Sequence, residues 1–494
     1  MATIKKNTIY TLISSFIIFI LLLINCSNEN QVKQKVIVTV GDRVIDWKLV
    51  KRSFHLDPKW GRGLTIQEAY QNQLDYLIDQ KLLAQEAISR GLSDELLKSR
   101  LKYIKEKEMI KELYRREVSS KVEITNQEYQ QAYERLKILV QFEFIFTPNL
   151  NNVHRYLQEL KSQSIDEINL ISPSLEQKGI SPMFGFGDMA PEIEDVIFDM
   201  ELGEVKGPIK IENRYMVIKL IDGIREKFLS ESDFAENKNR IRKVLFDRKA
   251  RKISDEYIYN ILKNDEIFIN PETFFPLSEH FSLYVSNKNS DDPFPIYLDN
   301  KEIKTAQASL KEISDKLLAK YKGGEFTVGE FLRRLFSMPR GMRPQVNMAP
   351  QLKKAIAISI RNDYLTRQAY KQGLDKSPVV KYETESQSDE ILSRWMLKEM
   401  KKKVNVTEAE INDFKQKENF SNVNNQLSGK LTDSVIEDII RDYKFSIYRK
   451  NFSDSLLSVY PVKVDTLLLS ENIPDPEKII KYKPISFSYV EKFN

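Results

Sequence analysis

The stretch FGFGDMAPEIEDVIFDMELGEVKGPIKIENRYMVIKL, Phe184–Leu220, places a glycine turn, a short helix and two strands in one compact order. Pro191 suits the first turn of a helix, because its missing N–H is not needed there, and the acidic residues after it favour the positive end of the helix dipole. Gly203 then ends this helix. Val205–Ile211, broken by a Gly-Pro pair, is typical of an edge strand, and Tyr215–Leu220 alternates as a half-buried strand does.

This order resembles the second half of the parvulin domain in SurA- and PrsA-like extracytoplasmic foldases, a family of peptidyl-prolyl isomerases. Val140–Phe146 corresponds to the opening strand of that domain, and Val153–Leu160 to the helix after it. The resemblance implies a small α+β domain within a mainly helical chain. The residues that match the motifs of the family are Met189, Pro191, Glu192, Glu194, Phe198, Gly203-Glu204, Gly207-Pro208 and Ile218-Lys219.

The chain departs from the family at two pocket positions. Parvulins usually carry one histidine in the first strand and another in the last, whereas Phe144 and Met216 stand there in this chain, and neither side chain can hydrogen-bond. Isomerisation lowers a barrier of roughly 18–20 kcal/mol by holding the prolyl amide in a twisted form. The resemblance therefore implies a substrate pocket of Met189, Phe198, Phe144 and Met216, with no assigned catalytic residue and an isomerase activity that is weak or lost.

The N-terminus has the pattern of a targeting segment. Two lysines precede an apolar run, Thr11–Ile24, and Cys26, the only cysteine of the chain, follows just after its end. This pattern resembles a bacterial lipoprotein signal, with residues 1–25 removed and Cys26 lipidated. A plain membrane anchor is the alternative, but the run is short of the about 20 apolar residues that a span needs. By resemblance to lipoprotein sorting, Ser27 favours the periplasmic face of the outer membrane.

Charge and composition narrow the classes of partner and chemistry. The chain has a formal net charge of +5, and two of its lysines lie in the predicted signal, so the processed chain would be nearly neutral. A nucleic-acid-binding protein would concentrate basic residues in a patch, so no nucleic-acid partner is expected. His55, His154 and His280 lie near no cysteine and near no paired carboxylates at ligand spacing. No metal, cofactor or catalytic nucleophile is therefore predicted.

An internal repeat organises the rest of the chain. Residues 36–135 and 318–417 align without a gap at a constant offset of 282 positions. Each copy predicts a strand pair, a first helix, a second helix ending at a glycine, a long third helix and a fourth helix that starts at a Thr-x-x-Glu capping box. Matching pairs include Phe54 with Phe336, Ile78 with Ile360, Leu83 with Leu365, Gly91 with Gly373, and Thr125–Glu128 with Thr407–Glu410.

In SurA-like proteins such a helical module is completed by a helix that follows the parvulin domain. Ile241–Asp255 and Ile440–Asp454 fit two such closing helices, with strands after them at Glu266–Asn270 and Val462–Leu467. The predicted organisation is therefore two SurA-like helical chaperone modules, the first of which carries an inserted parvulin-like domain. The segments are a signal (1–25), module 1 (36–139), the parvulin-like domain (140–222), the closing helix and strand of module 1 (223–274), a connecting segment (275–320), module 2 (321–418), and its closing helix and strand (419–494).

Two details inside this organisation are also predicted. In the connecting segment, Phe281–Val285 and Ile296–Leu298 are expected as strands and Ala306–Tyr321 as a helix. The loops around Trp60 and Met338 occupy equivalent places in the two copies. They could offer apolar contacts to clients, but connectors whose side chains pack against their own module are the favoured interpretation.

The resemblance implies an extracytoplasmic, membrane-anchored foldase or chaperone. Its partners would be unfolded or proline-containing polypeptides that are secreted or bound for the outer membrane, and its membrane contact would be the lipid anchor. The alternative is a non-catalytic lipoprotein subunit of an envelope assembly, in which the parvulin-like domain serves as a docking module. A single partner that co-purifies in fixed stoichiometry would favour the alternative, whereas a chaperone would bind many clients weakly.

Overall fold

The computed structural model describes residues 36–57, 63–91, 94–211, 213–225, 230–286, 298–416, 432–465 and 467–469. The predicted signal and Cys26 lie outside these residues, as do Trp60 and positions 296 and 297 of a predicted strand.

The described chain is mostly helical, with three small antiparallel sheets, which confirms the predicted fold class. The helices are α1 (Trp47–Leu56), α2 (Ile66–Ser89), α3 (Glu95–Glu117), α4 (Asn126–Leu136), α5 (Leu150–Ser162), α6 (Pro191–Ile197), α7 (Glu231–Leu262), α8 (Pro271–Ser286), α9 (Asn300–Ser309), α10 (Val328–Ser337), α11 (Ala349–Lys371), α12 (Pro378–Lys401), α13 (Glu408–Gln416) and α14 (Asp433–Leu456). The strands are β1 (Val36–Val40), β2 (Arg43–Asp46), β3 (Ile138–Thr147), β4 (Gln177–Ile180), β5 (Val205–Ile211), β6 (Arg214–Arg225), β7 (Phe268–Ile269), β8 (Leu317–Tyr321), β9 (Gly324–Thr327) and β10 (Val462–Val464).

The parvulin-like segment forms a four-stranded sheet in the order β4-β3-β6-β5. Helix α5 packs on one face, where Ile145 and Val217 are buried, and α6 packs on the other, where Phe142 and Ile218 are buried. Because helices cover both faces, β6 is buried on both sides, so the half-buried strand that its alternation predicts is fully covered at its centre.

The chain divides into two compact units. One consists mainly of Met109–Leu335 and Pro339–Leu374, and the other of the described parts of Cys26–Glu108 and Asp375–Asn494, with Phe336–Met338. The first is called the parvulin-containing unit below, and the second the terminal unit. Neither coincides with a single copy of the repeat.

The terminal unit joins the first half of copy 1, from β1 to α2, and the start of α3 as far as Glu108 to the second half of copy 2, which begins at Asp375. Strand β1 lies between β2 and β10, with Thr39 opposite Lys463, and α2 packs along α12 and α14. Their apolar side chains share one core, which includes Leu74 and Leu83 from copy 1 and Leu392 from copy 2. The strand after α14 was predicted to complete module 2, but it pairs instead with β1 of module 1.

The parvulin-containing unit holds most of the first half of copy 2 and the part of copy 1 that begins at Met109. Strand β7, which follows the closing helix of copy 1, pairs with β8 of copy 2, and the Asn270 N–H donates to the Leu318 carbonyl oxygen at 2.9 Å. Gln372 of α11 donates through Nε2 to Glu117 Oε1 of α3 at 2.8 Å. The halves of the two sequence copies are thus exchanged within each unit, while the domain boundaries themselves stay a prediction.

The connecting segment differs from its prediction. Phe281–Val285 lies in helix α8 rather than in a strand, because Leu277 and Phe281, four residues apart, both point into the core and are at most 1% exposed. The predicted helix Ala306–Tyr321 ends at Ser309, and its last five residues form β8. Strand β8 pairs with β9 in the strand pair that the repeat predicts at the start of copy 2, and also with β7. Only the long-range pairing with β7 has no local signal.

The loop after α10 behaves as a structural connector in its described part. The Arg343 guanidinium is buried and donates to the carbonyl oxygens of Leu335 at 2.9 Å and Leu298 at 2.6 Å. These contacts tie the loop to its own unit.

Candidate functional site

The four predicted pocket residues lie in one apolar cluster on the α6 side of the parvulin-like sheet. Phe144 belongs to β3 and Met216 to β6, while Met189 precedes α6 and Phe198 follows it. Phe198 and Met216 are each 2% exposed, whereas Phe144 and Met189 are partly buried. Whether this cluster binds a client stays a prediction.

The two positions that the sequence comparison predicts to correspond to the parvulin histidines are filled by packed apolar side chains. In the strand register, Phe146 stands opposite Met216, and Phe144 stands opposite Ile218. The rings of Phe144 and Phe146 meet edge to face with centroids 5.7 Å apart. An imidazole at these positions could hydrogen-bond a peptide, and neither side chain present can do so. Phe142 and Phe146 also belong to the cluster. They were not predicted, although their spacing from Phe144 by two residues places all three on one face of the strand.

A glycine gives the Phe144 ring its place. Gly179 on β4 stands opposite Phe144, and a Cβ atom at this position would lie 3.2 Å from Phe144 Cζ. A side chain at position 179 would therefore displace the Phe144 ring. Because glycine has no side chain, the ring can lie over β4.

Helix α7 closes the turn that leads to Met189. Glu194 is fully buried, and its Oε1 accepts the Gly187 N–H at 2.6 Å and pairs with the Arg248 guanidinium of α7 at 2.6 Å. The same guanidinium lies over the Phe186 ring, 4.9 Å from its centroid. Val244 of α7 leaves no room for a side chain at Gly187, where a Cβ would come within 2.7 Å. Arg248 therefore holds the pocket turn in place, and nothing near it in the sequence identified it.

A second buried carboxylate organises the α5 side of the sheet. Glu176 accepts four hydrogen bonds and is 3% exposed. Burial alone would raise its pKa, but the donors outweigh this effect and lower the pKa to about 2. Burial of Tyr156, together with its hydrogen bond to Glu176, raises the pKa of the Tyr156 hydroxyl to about 12. The four donors are Tyr156 OH at 2.7 Å, Asn152 Nδ2 at 2.9 Å, Thr147 Oγ1 at 2.7 Å and the Ser172 N–H at 2.8 Å.

We expect Glu176→Gln to destabilise the protein by roughly 3 kcal/mol at pH 7. The folded pKa lies below the ordinary value of 4.5, so the ionised group stabilises the fold above that pH, and this contribution is lost as the pH falls towards about 2. Denaturant unfolding of both proteins at pH 7 and pH 2 measures the change. The difference should nearly vanish at pH 2, while Glu201→Gln, at an exposed carboxylate, should change little at either pH. An equal loss at both pH values would contradict the assignment.

Two further observations concern metals and membranes. Within the described ranges, no group of three or more His, Cys, Asp and Glu side chains is arranged to hold a metal ion. Of the helices that the structure describes, none combines the length and hydropathy needed to cross a bilayer.

Comparison with known proteins gives consistent relatives. No protein-family model matches the chain. The chain is 29% identical to the foldase protein PrsA of Oceanobacillus iheyensis over 164 residues, which is 32% of this chain and 54% of the relative. It is 24% identical to the foldase protein PrsA of Caldanaerobacter subterraneus over 288 residues, 51% of this chain and 92% of the relative. The chain thus spans about half the length of the first of these relatives. These matches confirm the predicted resemblance to PrsA-like foldases.

Two solved structures align with part of the chain. The peptidylprolyl isomerase PrsA of Bacillus anthracis aligns at 19% identity over 38% of this chain and 96% of its own, with a TM-score of 0.19. A SurA-like chaperone of Campylobacter jejuni aligns at 18% identity over 46% of this chain and 97% of its own, with a TM-score of 0.20.

Proposed function

We propose that the chain is an extracytoplasmic, membrane-anchored foldase of the parvulin type, which holds unfolded polypeptides and whose isomerase activity is weak or lost. The observation that carries this proposal is the apolar pocket cluster, in which Phe144 and Met216 replace the histidines of the family and Met216 is almost fully buried. The similarity to PrsA foldases supports the class of activity. Catalysis needs hydrogen-bonding groups beside the twisting amide, whereas holding a client needs apolar and backbone contacts only.

The parvulin-like segment also exposes apolar side chains that suit such contacts. Leu139 and Ile224 stand opposite each other on β3 and β6, with 40% and 58% of their surface exposed. Ile180, at the end of edge strand β4, is about half exposed. An edge strand with apolar neighbours can take up an extended polypeptide through main-chain hydrogen bonds. We therefore assign client binding to the exposed pair Leu139 and Ile224 together with the open edge of β4.

Aggregation of an unfolded, proline-containing protein tests the proposal. The full chain should suppress its aggregation at near-equimolar ratio, and Leu139→Ser/Ile224→Ser should weaken the effect. Leu202→Ser, which changes an exposed leucine before β5, is the matched control and should leave suppression intact. No suppression, together with one protein that co-purifies in fixed stoichiometry, would favour the docking subunit of an envelope assembly.

Cys26→Ser is expected to leave an unprocessed precursor that incorporates no fatty acid, because Cys26 carries the only thiol of the chain. We propose that the lipid at this residue holds the protein at the periplasmic face of the outer membrane. Metabolic labelling with a radioactive fatty acid, followed by membrane fractionation, measures both points. Label that persists in the variant would remove the lipoprotein assignment.

A further inference from the structure

A buried ion pair joins the two sequence copies in the terminal unit. Lys81 of α2 belongs to copy 1 and Asp389 of α12 to copy 2, and Lys81 Nζ lies 2.6 Å from Asp389 Oδ2. The two side chains are only 3% and 0% exposed. Arg43 of β2 adds a second cation, with its Nε 3.5 Å from Asp389 Oδ1 and its Nη1 2.7 Å from Glu385. The interface between the exchanged halves therefore contains a buried acid held by two bases.

The repeat inverts these charges. At the constant offset of 282 positions, each of the three residues has a counterpart of the opposite sign in the other copy. If copy 1 packed on its own second half, its two basic side chains would face a third basic side chain. If copy 2 packed on its own second half, its two acidic side chains would face a third acidic side chain. The counterparts are Asp363 for Lys81, Glu325 for Arg43 and Lys107 for Asp389.

The counterpart residues have neighbours that keep their charges in place. Asp363 accepts hydrogen bonds from Tyr321 OH at 2.5 Å and from Arg334 Nη1 at 2.9 Å, both of its own copy. Lys107 donates to Gln387 Oε1 at 3.1 Å. These positions are therefore occupied by ordered, charged side chains, which would carry their charge into any alternative packing.

We propose that Lys81, Arg43 and Asp389 select the exchanged packing: they let the first half of copy 1 accept the second half of copy 2 and reject its own. A buried ion pair is a poor source of net stability, because desolvation offsets most of the attraction. It is an effective source of specificity, because like charges opposed in a buried interface are costly. Apolar cores of two similar copies fit either partner, so the charges make the choice.

The consequence concerns which part of the chain recognises which. The face of α2 and β2 is an interaction surface for the second half of the other copy, so one sequence copy alone lacks its partner. The duplicated chain supplies both partners.

Two disulfides that compete for the same cysteine report whether the full chain adopts the exchanged packing or the packing of a copy on itself. In a Cys26→Ser background, cysteines are introduced at Thr39, Lys463 and Ile267. Thr39 faces Lys463 in the exchanged packing, since β1 and β10 pair there. Ile267 precedes β7 and is the position that Thr39 would face if copy 1 packed on itself. The counterpart of Thr39 in copy 2 is Tyr321. Because Phe268 stands opposite Lys320, the same register places Ile267 opposite Tyr321. Mass spectrometry of the linked peptides gives the ratio of the two products.

We expect the 39–463 link to exceed the 39–267 link by at least about ten-fold in this background. The neutral variant Lys81→Met/Asp389→Leu should remain folded but lower the ratio by about ten-fold or more. The inverted variant Lys107→Asp/Asp389→Lys makes each copy complementary to itself and should reverse the ratio. Lys48→Met/Glu383→Gln, at a more exposed pair 3.7 Å apart, is the control and should leave the ratio unchanged.

Three results would overturn the proposal. A dominant 39–267 link in the starting background would remove the exchanged packing itself. A ratio within about two-fold of the starting value in both the neutral and the inverted variant would show that apolar packing alone selects the partner. Loss of helical circular dichroism in both variants would show that self-packing is not an accessible alternative, so that nothing needs to be rejected.

Discussion

Lys81→Met is expected to lower the free energy of unfolding by about 3–5 kcal/mol, since it leaves Asp389 buried beside a single more distant cation. Burial already raises the pKa of Asp389, while Lys81 and Arg43 favour its charged form. Removing Lys81 should therefore raise that pKa further. The loss of stability should shrink at low pH, because a protonated carboxyl carries no charge. Denaturant unfolding at pH 7 and pH 4 measures both effects.

Two controls separate the buried charge from packing. Lys48→Met removes a lysine whose side chain is 45% exposed and should cost less than about 1 kcal/mol. Lys81→Met/Asp389→Leu removes both charges and should recover most of the stability, because an apolar pair of similar size needs no desolvation. A cost below about 1 kcal/mol for Lys81→Met alone would mean that Asp389 is not held as a buried anion.

The local elements of this fold could be predicted because their signals are local. The capping boxes at Thr125 and Thr407 begin helices where the sequence predicted them, with the reciprocal hydrogen bonds formed in both copies. Pro191 likewise begins α6. The exchange of halves could not be predicted, because a gapless repeat gives both copies the same apolar pattern and therefore the same apparent partner. The signs of the charges at positions such as 81 and 363 are one feature that distinguishes the copies.

The candidate site was predictable in part for the same reason. Met189 and Phe198 flank a helix whose motif is short and ordered, so that alignment to the family places them directly. The contribution of Arg248 comes from a helix far along the chain, and nothing local marks an arginine as the partner of Glu194. Sequence motifs therefore named four residues that share one apolar cluster, whereas the contacts of Arg248 behind that cluster required the three-dimensional arrangement.

Proline isomerisation by the full chain is expected to be at least about 100-fold slower than that of a parvulin with both histidines, since a positioned proton-transferring or hydrogen-bonding side chain contributes typically 10²–10⁴-fold to a rate. Phe144 and Met216 supply only apolar surface, and Met216 is 2% exposed. A protease-coupled assay on a short proline peptide measures the rate. The absence of the two histidines should not prevent the chain from holding clients, because holding depends on the apolar surface of the pocket and of the β4 edge.

Phe144→His/Met216→His should raise the isomerisation rate by about ten-fold or more if the missing imidazoles limit catalysis. Burial lowers the pKa of an imidazole, so the ring introduced at position 216 would be neutral at pH 7 and able both to donate and to accept a hydrogen bond. Tyr215→His puts an imidazole on the same strand but on the opposite face of the sheet, and it should have no effect on the rate. Fast turnover by the unmodified protein that is lost in Met189→Ala would instead show that an apolar pocket suffices for catalysis, because the strain on the prolyl amide would then come from shape alone.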